Sequence, residues 1–183
     1  MSSPLSILIA DDHPIFRRGL CEVIESQSDL RLVGQAANGK EALALVEQLN
    51  PTVAIFDVHM PQLTGLQAAR RLIGDGVATK VILLTMHEDE GLLIEALDLG
   101  IHAYVLKENA VDDLIAAIRA VVAGRTFISA SLSEMLVRRR SQNDALRKER
   151  PGLENLTPTE RRILKLIAED KTSKEIADLL GSA

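Results

Sequence analysis

The chain has 183 residues, 46% of them hydrophobic, with 21 Lys and Arg against 26 Asp and Glu for a formal charge of −5. That is enough apolar material for a core in one domain, or in one domain with a small appendage, and no apolar run approaches the roughly 18 residues of a membrane-spanning helix. The lone cysteine, Cys21, excludes a disulfide framework or a cysteine-rich metal site and reads as core filler.

The opening MSSPLS lacks a basic-then-apolar leader pattern, so a cytoplasmic protein is expected. From there the chain repeats one unit, a short run of Val, Ile, Leu or Ala, a turn, and ten to fifteen residues with helical apolar spacing. The runs are ILIA (7–10), RLVGQAA (31–37), VAIF (53–56), VILLT (81–85) and AYVL (103–106), and the helical patterns cover about 14–26, 39–49, 64–73, 88–99 and 110–123. Five strands alternating with five helices predict a parallel sheet covered on both faces, a three-layer α/β domain, because a parallel return needs a crossover helix. The charge divides along the chain. Residues 1–130 carry 10 basic and 17 acidic side chains, a balance of −7, whereas residues 131–183 carry 11 and 9, a balance of +2. The acidic part favours cations such as Mg²⁺; the weakly basic tail tolerates polyanions without pointing to nucleic acid by itself.

In open parallel sheets ligands bind beyond the carboxyl ends of the strands. Asp11 and Asp12 follow the first run, Asp57 follows the third, Thr85 closes the fourth and Lys107 follows the fifth. Taken singly, an Asp after a strand reads as a helix cap and a Lys as a solvated charge. Taken together at one sheet edge, three carboxylates repel and raise one another's pKa unless a cation holds them. A hard divalent ion such as Mg²⁺, which takes one or two carboxylates plus a phosphate oxygen, resolves that repulsion. His13, His59 and His87 lie in the same loops, but their spacing matches no zinc motif, so they read as rim residues.

ADDHP (10–14), FDVHMPQLTG (56–65), LLTMHE (83–88) and YVLK (104–107) resemble, in order and spacing, the receiver domain of bacterial two-component response regulators. The resemblance covers residues 5–124. It implies a flavodoxin-like, doubly wound five-stranded parallel sheet of order 2-1-3-4-5. It implies Asp57 as phospho-acceptor, Asp11 and Asp12 as Mg²⁺ ligands together with Asp57 and the backbone carbonyl of His59, and Thr85 and Lys107 as contacts of the phosphoryl group. It also implies a sensor histidine kinase as donor and a switch in which Thr85 moves toward the phosphoryl group and Tyr104 turns into the core. Two departures stand out. Glu108 follows Lys107 where many receivers carry proline, so a cis bond is not expected there. Met86 stands where a small residue is common, which predicts altered phosphorylation lifetimes.

Past residue 124 the pattern changes. GRTFIS resembles the hinge that follows the last receiver helix, and residues 125–155 read as a linker carrying a polar, basic helix that ends at Pro151–Gly152; the RRR of 138–140 fits a solvated helix face. Thr157-Pro158-Thr159-Glu160 and Thr172–Glu175 read as two capping boxes that open short helices. LTPTERRILKLIAEDKTSKEIADLLGSA (156–183) resembles the start of the LuxR-type helix-turn-helix of NarL/FixJ response regulators. In that family the helix that enters the major groove follows the one matching 173–180, so an incomplete all-α DNA-binding unit is expected over 156–183, with weak or absent binding of promoter DNA by this chain.

The leading expectation is therefore a phosphorylation-controlled transcription regulator with no membrane partner, capable of forming a homodimer. The alternative is a stand-alone phospho-signalling module acting through protein contacts. An aspartate-nucleophile phosphatase fits less well, because His59 stands where such enzymes commonly carry a second acid.

Overall fold

The computed structural model describes residues 3–138. The expected linker beyond residue 138 and the helix-turn-helix expected over 156–183, with its capping boxes, lie outside the described residues. In chain order the elements are β1 (Leu5–Ala10), α1 (Pro14–Glu25), β2 (Leu30–Ala36), α2 (Gly39–Leu49), β3 (Val53–Asp57), α3 (Gly65–Gly74), β4 (Lys80–Thr85), α4 (Glu90–Asp98), β5 (Ala103–Leu106), a 3₁₀ turn (Lys107–Asn109), α5 (Ala110–Val122) and β6 (Phe127–Ile128). A further helix, α6, runs over 130–138. None of the described helices is long and apolar enough to cross a membrane.

All sheet pairings are parallel, and the order is β2-β1-β3-β4-β5-β6. The first five strands follow the expected flavodoxin-like order. The sixth is an addition: Phe127–Ile128, within the segment expected to be a hinge, extends the sheet beside Ala103 and Tyr104. Two residues, both half-buried, leave too little periodicity for a strand signal.

The inner strands β1, β3, β4 and β5 bury both faces, as their near-continuous apolar runs require. Alternate residues sort cleanly onto two cores. Leu8, Ala54, Phe56, Leu83 and Tyr104 pack with α2, α3 and α4, while Ile7, Ile9, Ile55, Leu84 and Val105 pack with α1 and α5. Cys21 is a buried member of the second core. Leu132 of α6 is fully buried in the first.

Parity along each strand decides which face a terminal side chain joins. Asp11, Asp57 and Lys107 continue the registers of Ile9, Ile55 and Val105 on the α1/α5 face. Thr85 and Tyr104 continue the other face. The polar positions at the sheet edge thus divide into two groups before any contact is considered.

Candidate functional site

The helix caps show that the aspartates are not simple helix starters. The N-cap of α1 is His13 and that of α3 is Thr64, whose side chain accepts from the Gln67 amide in a capping box. Asp11 and Asp57 are instead buried, at 0% and 1% exposure, with Lys107 at 4%.

Lys107 Nζ lies 2.6 Å from Asp11 Oδ2 and 2.8 Å from Asp57 Oδ2. One cation therefore faces two buried carboxylates. Burial pushes the Asp57 carboxyl above the usual carboxylate range; the Lys107 hydrogen bond and charge oppose that rise, and the Asp11 charge adds to it. Asp12 is half-buried at the mouth. His13 is exposed over the pocket, its Nδ1 2.9 Å from Asp12 Oδ1 and 3.4 Å from Asp11 Oδ1. Donor atoms of Asp11, Asp12, His13 and Asp57 all lie within 4.8 Å of one another. Three carboxylates around one ammonium leave an excess of negative charge and hard oxygen donors, which fits a divalent cation of the Mg²⁺ kind.

The loops around the pocket are held by their own backbone. The His13 amide donates to Asp11 Oδ1 at 2.8 Å and the His59 amide to Asp57 Oδ1 at 3.3 Å. After Asp57, Val58 N donates to Leu84 O and Gly65 N to Val58 O, which folds 58–64 tightly back before α3 begins. A Cβ on Gly65 would stand 2.1 Å from the Asp57 carbonyl oxygen, so this residue cannot carry a side chain without displacing the backbone of Asp57. Met86 and His87 are exposed.

Thr85 is fully buried but stands apart from the carboxylates' bonding network. Its Oγ1 donates to His87 O at 3.2 Å and accepts from His87 N at 3.3 Å, folding the hydroxyl onto its own loop. Tyr104 is 1% exposed and packed in the α2/α3/α4 core, on the face to which strand parity assigns it. Burial pushes the Tyr104 phenol up to about 12, with the Thr85 hydroxyl moderating the rise.

Two supports of the pocket were not foreseen. Lys107 Nζ sits 4.8 Å above the centre of the Phe16 ring, and Arg17 donates to the backbone carbonyl of Asp11. Both belong to the first turn of α1 after Pro14, and a helix starting at the pocket must return residues three and four positions on toward it.

Residues 7–119 match the family model described as the response regulator receiver domain. The nitrate/nitrite response regulator protein NarL of Escherichia coli (strain K12) is 33% identical over 174 residues, covering 95% of this chain and 80% of that protein. Among solved structures, a LuxR-family two-component response regulator from Aurantimonas sp. SI85-9A1 is 29% identical at a TM-score of 0.72, covering 76% of this chain and 99% of that one. A structure of two RcsB dimers bound to two parallel DNAs is 28% identical at a TM-score of 0.68, covering 98% and 84%.

Proposed function

The chain belongs to the response regulator receiver family, of the NarL and LuxR-family type, and from that membership we propose that Asp57 is its phospho-acceptor. The observation that carries the proposal is the contact of one buried ammonium, Lys107, with both Asp11 and Asp57 at the carboxyl edge of the sheet. Such an arrangement holds a carboxylate at the bottom of a pocket with positive charge already beside it, where charge develops during phosphoryl transfer.

In the proposed reaction a carboxylate oxygen of Asp57 attacks phosphorus and forms an acyl phosphate as the bond to the donor's leaving group breaks. The donor is a phosphohistidine of a sensor kinase or a small acyl phosphate. Lys107 stabilises the equatorial oxygens, and the buried walls keep bulk water away from Asp57. Mg²⁺, held by Asp11, Asp12, Asp57 and the backbone carbonyl of His59, would supply Lewis-acid neutralisation of the same charge. In a second step water attacks phosphorus and the Asp57 carboxylate leaves, releasing inorganic phosphate with the proton passing to solvent, so the chain assists both its modification and its reset. Thr85 exchanges its loop hydrogen bonds for one to the new phosphoryl oxygens.

The output is control of transcription by a helix-turn-helix unit whose start residues 156–183 resemble, acting on promoter DNA in the intact protein. Support for it is the alignment with NarL across 95% of the chain and the likeness to RcsB, whose dimers bind DNA. Incubation with acetyl phosphate and Mg²⁺, read on a phosphate-affinity gel, tests the acceptor. Wild type should shift and Asp57→Asn should not; equal shifts in both would remove Asp57 from the role. Promoter binding measured against ionic strength tests the output, since a chain that neutralises several phosphates loses affinity steeply with salt. With the chain extended through the reading helix, absence of binding at low salt would instead favour a module that acts by protein contacts alone.

A further inference from the structure

Ser129 is far from the acidic motifs in sequence and is fully buried. Its hydroxyl donates to Asp113 Oδ2 at 2.6 Å and accepts from the Leu106 amide at 3.2 Å. Its own amide donates to Tyr104 O, and its carbonyl accepts from Ser133 N, the first turn of α6. One residue therefore bonds to β5, to the first turn of α5 and to the helix that leaves the receiver.

The position follows from the short sixth strand. β6 pairs with Ala103 and Tyr104 and then stops. The next amide pointing to that side, Leu106 N, has no strand to pair with, and the Ser129 hydroxyl takes the ladder's place. Leu106 immediately precedes Lys107. A hydroxyl that donates to a carboxylate and accepts from an amide is fixed in rotation, and removing it leaves two polar groups without their partner.

We propose that Ser129 is a positioning residue for Lys107, and that this joint links the Asp57 pocket to the seating of the helix that begins at residue 130. The proposal rests on the reading of Asp57 as acceptor. Any shift of Lys107 that phosphorylation requires moves Leu106 N against Ser129 Oγ, and Ser129 carries the start of α6, whose Leu132 is fully buried. Linkage makes the effect reciprocal: what loosens α6 also loosens Lys107.

The test uses the full chain as wild type, Ser129→Ala and Ser129→Thr. Initial rates of modification by acetyl phosphate with Mg²⁺ are measured across donor concentration, and amide exchange at residues 130–136 is followed with and without beryllofluoride. Ser129→Ala should lower the maximal rate by about 10-fold, the order expected of a sub-ångström misplacement, with the half-saturating donor concentration unchanged. Ser129→Thr, which keeps the hydroxyl, should restore the rate to within about 2-fold of wild type. Beryllofluoride should alter exchange at 130–136 in wild type and leave it unaltered in Ser129→Ala. A Ser129→Ala protein with wild-type rate and exchange response overturns the proposal, as does a folded Ser129→Thr as slow as Ser129→Ala. If Ser129→Ala fails to fold, Asp113→Asn replaces it: a reduced rate supports the joint and an unchanged one refutes it. A wild type that acetyl phosphate does not modify defeats the acceptor reading itself, and the joint falls with it.

Discussion

Gly65 offers a direct test of how tightly the backbone sets the acceptor. In Gly65→Ala the new methyl carbon meets the Asp57 carbonyl oxygen at 2.1 Å, its carbon at 2.8 Å and Phe56 Cβ at 3.1 Å. The first two are main-chain atoms of a fully buried strand, so no flexible side chain can yield. Relief to an ordinary contact requires Asp57 or the start of α3 to move by about 1 Å, and overpacking of this kind costs about 3 kcal/mol. For a domain of this size that lowers the thermal midpoint by about 10 °C. The same displacement carries the Asp57 carboxylate out of line with Lys107 and should slow modification by acetyl phosphate by about 100-fold. The control is Gly19→Ala in the interior of α1, where nothing lies within 4 Å of the added carbon; it should gain about 0.5–1 kcal/mol from helix propensity alone. Urea titrations and gel-shift rates on the two variants check both numbers. A Gly65→Ala protein with the midpoint and rate of wild type would refute the reasoning.

Other outcomes follow from the buried charges. Lys107→Met strands the Asp11 and Asp57 carboxylates and should cost about 3–5 kcal/mol near neutral pH by denaturant unfolding. Asp57 has a raised folded pKa, so its contribution is fully present below its unfolded value and is lost as pH rises through the folded one. Asp57→Asn should accordingly be more stable than wild type at pH 7, with Lys107 still paired to Asp11, by a margin that vanishes below pH about 3.8; equal stability at pH 7 would contradict the burial argument. Mg²⁺ at 100 times its dissociation constant should stabilise wild type by about 2.7 kcal/mol, and Asp11→Asn should abolish most of that shift in calorimetry. Tyr104 is the chain's single tyrosine and there is no tryptophan, so its phenolate absorbance can be titrated without interference. It should ionise near pH 12 while the protein is folded, and an ordinary value near 10 would show the ring to be solvated.

Much of this architecture is legible in the sequence because it rests on two periodicities and on a few polar residues that interrupt them. ILIA, VAIF, VILLT and AYVL are buried on both faces, so each reads as an uninterrupted run whose end is marked by Asp11, Asp57, Thr85 or Lys107. Those residues were placed at one edge by topology alone. What topology does not give is which way each tip points. Strand parity sends Asp11, Asp57 and Lys107 to one face and Thr85 with Tyr104 to the other, which is why the Thr85 hydroxyl bonds to its own loop rather than to the carboxylates. β6 escaped notice because two half-buried residues after Gly124, Arg125 and Thr126 carry no period. Ser129 fell within the segment read as linker, and Phe16 was given no role; their parts depend on contacts with Leu106 and Lys107 that lie far along the chain.

That separation has a bearing on how the protein comes into being. The groups of the pocket are delivered by β1, β3, β4 and the turn after β5, and they lie together only because the intervening strands have been laid side by side. A ribosome-bound chain that has emerged only as far as β4 holds its acidic residues with no ammonium to answer them. The cluster of Asp11, Asp57 and Lys107 is therefore complete only once the turn after β5 has left the ribosome and docked on the sheet.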